Sequence, residues 1–244
     1  MLNTTVMPYI NIRGLVVFPH SEISLMIGRS ESIAAIKFAI SSNDNNLVII
    51  SQKKSENNGQ PILNEMFKAG TLVKIEKHIT LDDAMKIHCS GVSKVKIEKI
   101  EVSNEIQMAS VTQTPYSEIE SRLSILEKRE ILALTDAWCS KLQNRTSPDI
   151  TDLESISFKH FVERVLDIIT YFDIEKKYSK KDIIEAAKTG LGQTCQKSLD
   201  TNKELINYLV SKRQEILESE SYTKQIQLTK KLLKEEINLF DANL

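Results

Sequence analysis

The side chains best suited to hold a metal ion are two histidines on either side of a short turn. His78 and His88 flank residues 81–83, and Cys89 follows directly. If the two segments pair as a ribbon, the imidazoles could face each other, and a metal-dependent enzyme is then one interpretation. Zinc usually takes three or four protein ligands, so two exposed hairpin histidines are the simpler interpretation. The sequence therefore predicts no metal site.

Motifs for nucleophilic or nucleotide chemistry are missing from the sequence. Ser93, Ser179 and Ser211 each precede a lysine, but such adjacencies in a lysine-rich chain do not indicate a working dyad. Neither G-x-x-x-x-G-K-[ST], H-E-x-x-H nor G-x-S-x-G occurs. We expect no catalytic residue and no cofactor, and this chain alone should hydrolyse neither ATP nor peptides.

Composition restricts the class of partner. The 244 residues carry 32 Lys and Arg against 33 Asp and Glu. The chain therefore lacks the excess of positive charge that attracts the phosphates of a nucleic acid. No apolar run approaches the length of a membrane span, and the first residues lack the pattern of a secretion signal. Cys89, Cys139 and Cys195 form no C-x-x-C motif and indicate free thiols in a reducing cytoplasm.

The first half of the chain has the pattern of short strands and turns. Apolar runs predict strands at residues 15–18, 23–27 and 47–50, a hairpin across residues 70–89 and a last strand at 106–112. Pro19 makes a corner after the first run, and Ser30 opens a helical period. Together these features predict a compact, mostly antiparallel sheet that curls on itself over residues 1–116.

The second half has the pattern of helices. Capping boxes begin at Ser117, Thr151 and Thr201, and Trp138 is most simply a core residue of the first helix. We expect a helical subdomain over 117–201 and one continuous helix from Asn202 to about residue 241, roughly 60 Å long. Its apolar residues form a narrow stripe typical of a coiled-coil seam, which predicts a partner surface outside the domain. The stripe consists of Tyr222, Ile226, Leu233, Ile237, Phe240 and Leu244.

A family resemblance rests on residues in a fixed order and spacing. At the start these residues are Pro8, Arg13, Val17, Phe18, Pro19, Gly28 and Arg29. Further along they are Leu63, Phe67, Gly70, Thr71, Gly91, Lys94, Lys96 and Ile97. Over about 100 residues the pattern resembles the amino-terminal domain of the ATP-dependent Lon proteases.

The resemblance implies an α+β protein: a curled, PUA-like β domain followed by an α-helical bundle that ends in a long helix. It implies a region that recognises unfolded or damaged proteins and passes them to the AAA+ ATPase ring of the same chain. The full-length protein would be a cytoplasmic homo-oligomer with its ATPase and serine protease residues elsewhere. Arg13 and Arg29 belong to the family pattern. Donation to carbonyls freed by the Pro19 corner is their simplest role, and contact with a ligand is the alternative.

The candidate substrate-binding residues are those able to form an adaptable apolar surface. Thioethers repack around varied partners, and an aromatic ring adds contact area. The candidates are Met26, Met66, Phe67 and Met85. For each of them, burial in the core is the competing interpretation.

Two further functions stay open at this point. A free-standing adaptor could share the β domain without any attached protease. An enzyme of another kind would require the histidine pair to bind metal. The sequence favours a non-catalytic substrate-recognition region, with no nucleic acid or membrane as partner.

Overall fold

The computed structural model describes residues 4–42, 44–54, 63–103, 105–113, 125–141, 161–162, 165–166, 196–219 and 221–242. A six-stranded sheet with one helix comes first, and helices follow. The strands are β1 (Thr4–Ile12), β2 (Glu22–Ile27), β3 (Asn46–Ser51), β4 (Ala69–Thr80), β5 (Met85–Ser103) and β6 (Ile106–Gln113). The helices are α1 (Ser30–Ser42), α2 (Ile125–Ser140), α3 (Gln196–Glu218) and α4 (Tyr222–Ala242). A short 3₁₀ turn covers Leu63–Glu65.

Five of the strands close into a ring. The sheet order is β2-β5-β4-β3-β1-β6, and an additional pairing of β5 with β6 joins the ends of the last five strands. Only β1 and β3 run parallel among the described pairs. The predicted α+β class, with a curled and mostly antiparallel sheet followed by helices, is confirmed.

Pro8 lies where β1 changes partner. Thr4–Pro8 pair with β6, and pairing with β3 begins at Tyr9. A proline cannot donate to a ladder, so it is tolerated where one side of the strand is unpaired. The family-motif proline therefore occupies a position that suits its missing N–H.

Two apolar clusters cover the two faces of the sheet. One draws residues from all five strands of the ring, including Tyr9, Val48, Leu72, Val95 and Val111, and fills its interior. The other lies under α1 and β2. Alternation along β1 sends Tyr9 to the first cluster and Ile10 to the second, as strand geometry requires.

The strand predicted at residues 15–18 is wrong. The run is buried but lies between β1 and β2 without joining a ladder, while β1 starts earlier, at Thr4. Burial of all four residues produced the apolar run, and pattern alone does not distinguish a buried loop from a buried strand. The strands predicted at 23–27, 47–50 and 106–112 agree with β2, β3 and β6.

The helices pack together around one apolar cluster. It includes Trp138 from α2, Val210 from α3 and Leu233 from α4, with Phe161, Val162, Val165 and Leu166 also buried in it. Trp138 of α2 is buried, as predicted, and so is Ile131, whereas Leu126 is 76% exposed. The start of that helix, with its capping box at Ser117, lies outside the described residues, as does the box at Thr151.

The continuous helix predicted from Asn202 is wrong. α3 ends at Glu218 and α4 starts at Tyr222, and the amide of Ser219 donates to Ile216 O while that of Gln225 donates to Ser221 O. The break contains neither Gly nor Pro. The Ser219 hydroxyl donates to Ser221 O at 3.1 Å and so stabilises the turn between the two helices. Thr201 lies inside α3 and does not begin a helix.

The apolar stripe of α4 faces this protein's own helices. Ile226 and Leu233 are buried in the helical cluster, and Tyr222 and Ile237 pack against it. The expected partner surface outside the domain is therefore wrong for these four residues. The Phe240 side chain and Leu244 lie outside the described part of the chain. α3 crosses the predicted boundary at residue 201, and the three-part domain division stays a prediction.

A buried charged group ties the three helices together. Glu236 of α4 accepts from Trp138 Nε1 of α2 at 2.8 Å and from Arg213 of α3 at 3.0 Å. The side chains of Arg213 and Glu236 are each 4% exposed. Such a pair stabilises only while both partners remain, because either charge alone would be buried without compensation.

Candidate interaction site

Residues 15–18 lie between the sheet and the helices, and their side chains alternate between the two. Leu15 and Val17 belong to the cluster under α1, whereas Val16 and Phe18 belong to the helical cluster. All four are at most 3% exposed. This segment therefore joins the two hydrophobic cores.

Side-chain hydroxyl groups donate hydrogen bonds to three carbonyls of this segment. Ser51 Oγ donates to Leu15 O at 2.7 Å, and Thr71 Oγ1 donates to Val17 O at 2.6 Å. Ser21 Oγ donates to Phe18 O at 2.7 Å. A buried carbonyl needs a partner, and these side chains replace the ladder that a strand would provide.

The corner at Pro19 fits against Gly91. His20 N donates to Gly91 O at 2.9 Å, and Gly91 N donates to Ser21 O at 2.8 Å. A Cβ on Gly91 would overlap the carbonyl oxygen of Phe18. Glycine is needed here for the close approach of two backbones, and β5 continues through it instead of ending.

Gly70 has a similar role between neighbouring strands. A Cβ there would lie 2.6 Å from Ile49 O. Gly28 lies between the end of β2 and the start of α1, where it separates the two elements. Gly70 and Gly91 of the sequence motif thus allow two backbones to approach closely, and Gly28 connects β2 to α1.

The two motif arginines lie in a poorly solvated environment. Arg13 is 1% exposed, and burial together with the nearby charge of Arg29 lowers its pKa to about 10. Burial also lowers the pKa of Arg29, with Glu31 acting in the opposite direction. Their expected donation to carbonyls at the Pro19 corner stays a prediction.

Two polar side chains fasten the helices to the sheet. Lys94 of β5 donates to Ser219 O at 3.0 Å, in the turn between α3 and α4. Gln214 of α3 donates to Ala69 O at the start of β4, at 2.8 Å. With Phe18, these four residues form what we call the barrel–helix junction. Lys94 is only 6% exposed, so its side chain is buried between the sheet and the helices.

The methionine candidates do not form an exposed surface. Met66 and Met85 are 1% and 2% exposed, and Met26 is 9% exposed beside Ala84. Phe67 is partly buried against the helical cluster. The three methionines are buried in the core, which was the competing interpretation of the sequence. The three methionines therefore form no exposed adaptable surface, and a substrate-binding role for Phe67 stays a prediction.

The histidine pair does not assemble. In the β4–β5 hairpin, His78 lies opposite Ile87 and His88 lies opposite Lys77. These neighbouring positions send side chains to opposite faces, so the alternative in which the two imidazoles face each other does not occur. His88 instead lies 3.2 Å from Ser24 Oγ on β2. Within the described part of the chain, no group of three or more His, Cys, Asp or Glu could hold a metal ion.

Comparison with protein families decides the relationship. The model of the ATP-dependent protease La (LON) substrate-binding domain matches residues 6–235. The chain belongs to this family. The match covers the ring of strands, the barrel–helix junction and most of α4.

Curated relatives of this LON domain are bacterial Lon proteases. The chain is 28% identical over 192 residues to Lon protease of Wolbachia pipientis subsp. Culex pipiens (strain wPip), which covers 75% of this chain and 23% of the relative. It is 28% identical over 187 residues to Lon protease of Elusimicrobium minutum (strain Pei191), covering 74% of this chain and 22% of the relative. The chain thus spans about a quarter of the length of the curated relatives it matches.

A solved structure supports the fold. The N terminal domain of Mycobacterium avium complex Lon protease aligns with a TM-score of 0.52 over 95% of this chain and 99% of that chain, at 13% identity. At that identity the likeness concerns architecture alone. No described helix of the LON domain is both long enough and apolar enough to cross a bilayer.

The hydrogen bonds that hold residues 15–18 and the barrel–helix junction come from residues whose role the sequence does not indicate. Ser51, Thr71 and Gln214 all donate to backbone carbonyls far away in the chain. In the sequence, Lys94 is marked only by its place in the family pattern. Nothing local in the sequence marks such partners, because each hydrogen bond joins separate elements.

Proposed function

We propose that this chain is the substrate-recognition and assembly region of a Lon-like ATP-dependent serine protease. In this proposal it binds unfolded or damaged proteins and is non-catalytic by itself. The ATPase ring and protease would belong to the same full-length cytoplasmic chain, which would assemble as a homo-oligomer. Quality control of damaged protein would then be the cellular role.

The observation that carries the proposal is the match of residues 6–235 to a substrate-binding domain family. The closed β ring and its helices supply a rigid support, since the barrel–helix junction is buried and hydrogen-bonded. Exposed apolar side chains remain at the tip of the β4–β5 hairpin, where Ile79 and Leu81 lie. Apolar groups at the surface are what an unfolded chain can contact without a defined sequence.

Crosslinking to an unfolded model protein tests this function. Reduced, carboxymethylated α-lactalbumin carrying a photoreactive group is mixed with the chain, irradiated and mapped by mass spectrometry, with folded α-lactalbumin as the control. We expect labels on residues 4–113 from the unfolded form and few from the folded form. Labels confined to residues 196–242 would count against the β domain as the receptor, and equal labelling by both forms would count against recognition of unfolded protein.

A further inference from the structure

One strand of the sheet extends beyond its neighbour. β4 runs from Ala69 to Thr80, but β3 pairs only with residues 71–74. The last contact on that side is the bond from Ile75 N to Asn45 O, at 2.8 Å. Within the described part of the chain, residues 76–80 pair with β5 on one side and with no strand on the other. We call residues 76–80 of β4 the open edge.

The open edge is accessible along its whole length. All five of its residues are exposed, and Ile79 is 59% exposed. The strand then turns at Leu81, whose amide donates to Ala84 O at 2.8 Å and whose side chain is 38% exposed. The edge therefore ends in an accessible apolar tip formed by Ile79 and Leu81.

The chemistry of a strand edge specifies its ligand. An unpaired edge presents backbone N–H and C=O groups at the spacing of another strand, so an extended peptide can add to it through main-chain hydrogen bonds. Such pairing depends little on side chains. This property suits a domain that must accept many sequences.

Local features favour a flexible segment over a second folded sheet. A bulge at Glu76 shifts the register between Ile75 and Lys77, and bulges twist an edge away from flat edge-to-edge pairing. Lys77 adds a charge of the kind that limits pairing between folded sheets. A single unfolded segment can follow the twist, because it has no structure of its own to distort.

We propose that the open edge binds an extended segment of an unfolded polypeptide as an added β-strand. This inference rests on the proposed function and specifies how it is carried out. Ile79 and its cross-strand neighbours Lys86 and Met26 lie in register on one face of β4, β5 and β2. Apolar side chains of the added strand would contact Ile79 on that face.

Amide hydrogen exchange tests directly whether a strand is added, because new main-chain hydrogen bonds slow the exchange of the edge amides. The chain is isotopically labelled, and exchange is followed by NMR with and without reduced, carboxymethylated α-lactalbumin. We expect slower exchange at amides within residues 76–80 in the complex. Slowing that falls elsewhere while binding persists would overturn the open edge but leave the proposed function standing. Absence of any binding would overturn both.

A matched pair of substitutions tests the apolar contact. Ile79 and Val102 are β-branched residues, 59% and 58% exposed, each near the end of a hairpin strand. We expect Ile79→Gln to weaken binding of the unfolded protein about fivefold, and Val102→Gln to change it less than about twofold. Equal effects of the two substitutions would contradict the proposal that the apolar side chain of Ile79 contacts the added strand.

Concentration dependence distinguishes a second copy from an unfolded partner. If the open edge paired with itself, exchange at residues 76–80 would slow as the concentration of the chain alone is raised. We expect no such change without the unfolded protein. Slowing in the chain alone would overturn the proposal in favour of self-association.

Discussion

The ammonium group of Lys94 donates a hydrogen bond to the carbonyl oxygen of Ser219, 3.0 Å away in space and 125 positions later in the chain. The contact joins β5 to the turn between α3 and α4. Phe18 packs into the helical cluster from the sheet side, so polar and apolar contacts act together at the junction. The orientation of α4 is thereby tied to the β ring.

Replacing Lys94 by Met should loosen this junction. The apolar stem is kept, but the bond to Ser219 O is lost, and we expect the free energy of unfolding to fall by about 1–2 kcal/mol. Lys96→Met is the matched control, because Lys96 is 61% exposed and pairs with a surface carboxylate on Glu98. Urea unfolding followed by circular dichroism measures both. Equal stability of the two variants would contradict a role for Lys94 in the junction.

Gly91→Ala should be strongly destabilising. The added Cβ would overlap the carbonyl oxygen of Phe18, and backbone rather than a flexible side chain must move. We expect a loss of about 2–3 kcal/mol. Val92→Ala, at the exposed neighbouring position, should cost less than about 1 kcal/mol. Thermal unfolding of the pair is the test, and a Gly91 variant as stable as the control would refute the close approach.

Glu236→Gln should destabilise the helices. It leaves the buried Arg213 guanidinium without its carboxylate partner, for an expected loss of about 3 kcal/mol or more. Glu235→Gln is the control, because Glu235 accepts from the exposed Tyr208 hydroxyl. The chain has one tryptophan, so Trp138 fluorescence reports unfolding of this region. Similar midpoints for the two variants would argue against the buried pair.

The thiols of Cys89 and Cys139 should not react with alkylating reagents at neutral pH. Burial raises the pKa of Cys89 to about 12 and that of Cys139 to about 11, which keeps both in the unreactive thiol form. We expect labelling of both only after urea is added. Peptide mapping by mass spectrometry checks each cysteine separately, and fast labelling of either in the native protein would contradict its burial.

Short apolar runs predicted much of the sheet because burial and pairing coincide there. Residues 23–27, 47–50 and 106–112 are strands whose inward faces are apolar. Residues 15–18 have the same composition, yet their carbonyls are bound by Ser51, Thr71 and Ser21 instead of a ladder. Sequence pattern reports burial and does not identify the hydrogen-bond donor.

The helical half was harder to predict for a related reason. The break between α3 and α4 contains Ser219 and Ser221 but neither Gly nor Pro, so no strong breaker marks it. Lys94 and Gln214 gain their roles from partners 125 and 145 positions away. Residue type likewise does not indicate whether a methionine is buried or exposed, and both Met66 and Met85 are buried.

A substrate-recognition region without catalytic residues should bind unfolded protein without nucleotide and without cutting it. The most direct measurement is a titration of fluorescently labelled, reduced and carboxymethylated α-lactalbumin by fluorescence anisotropy, with gel analysis of the same samples. We expect saturable binding in the absence of ATP, no binding of folded α-lactalbumin, and an intact labelled protein at the end. No binding of the unfolded form, or cleavage of it by the chain alone, would overturn the proposed function.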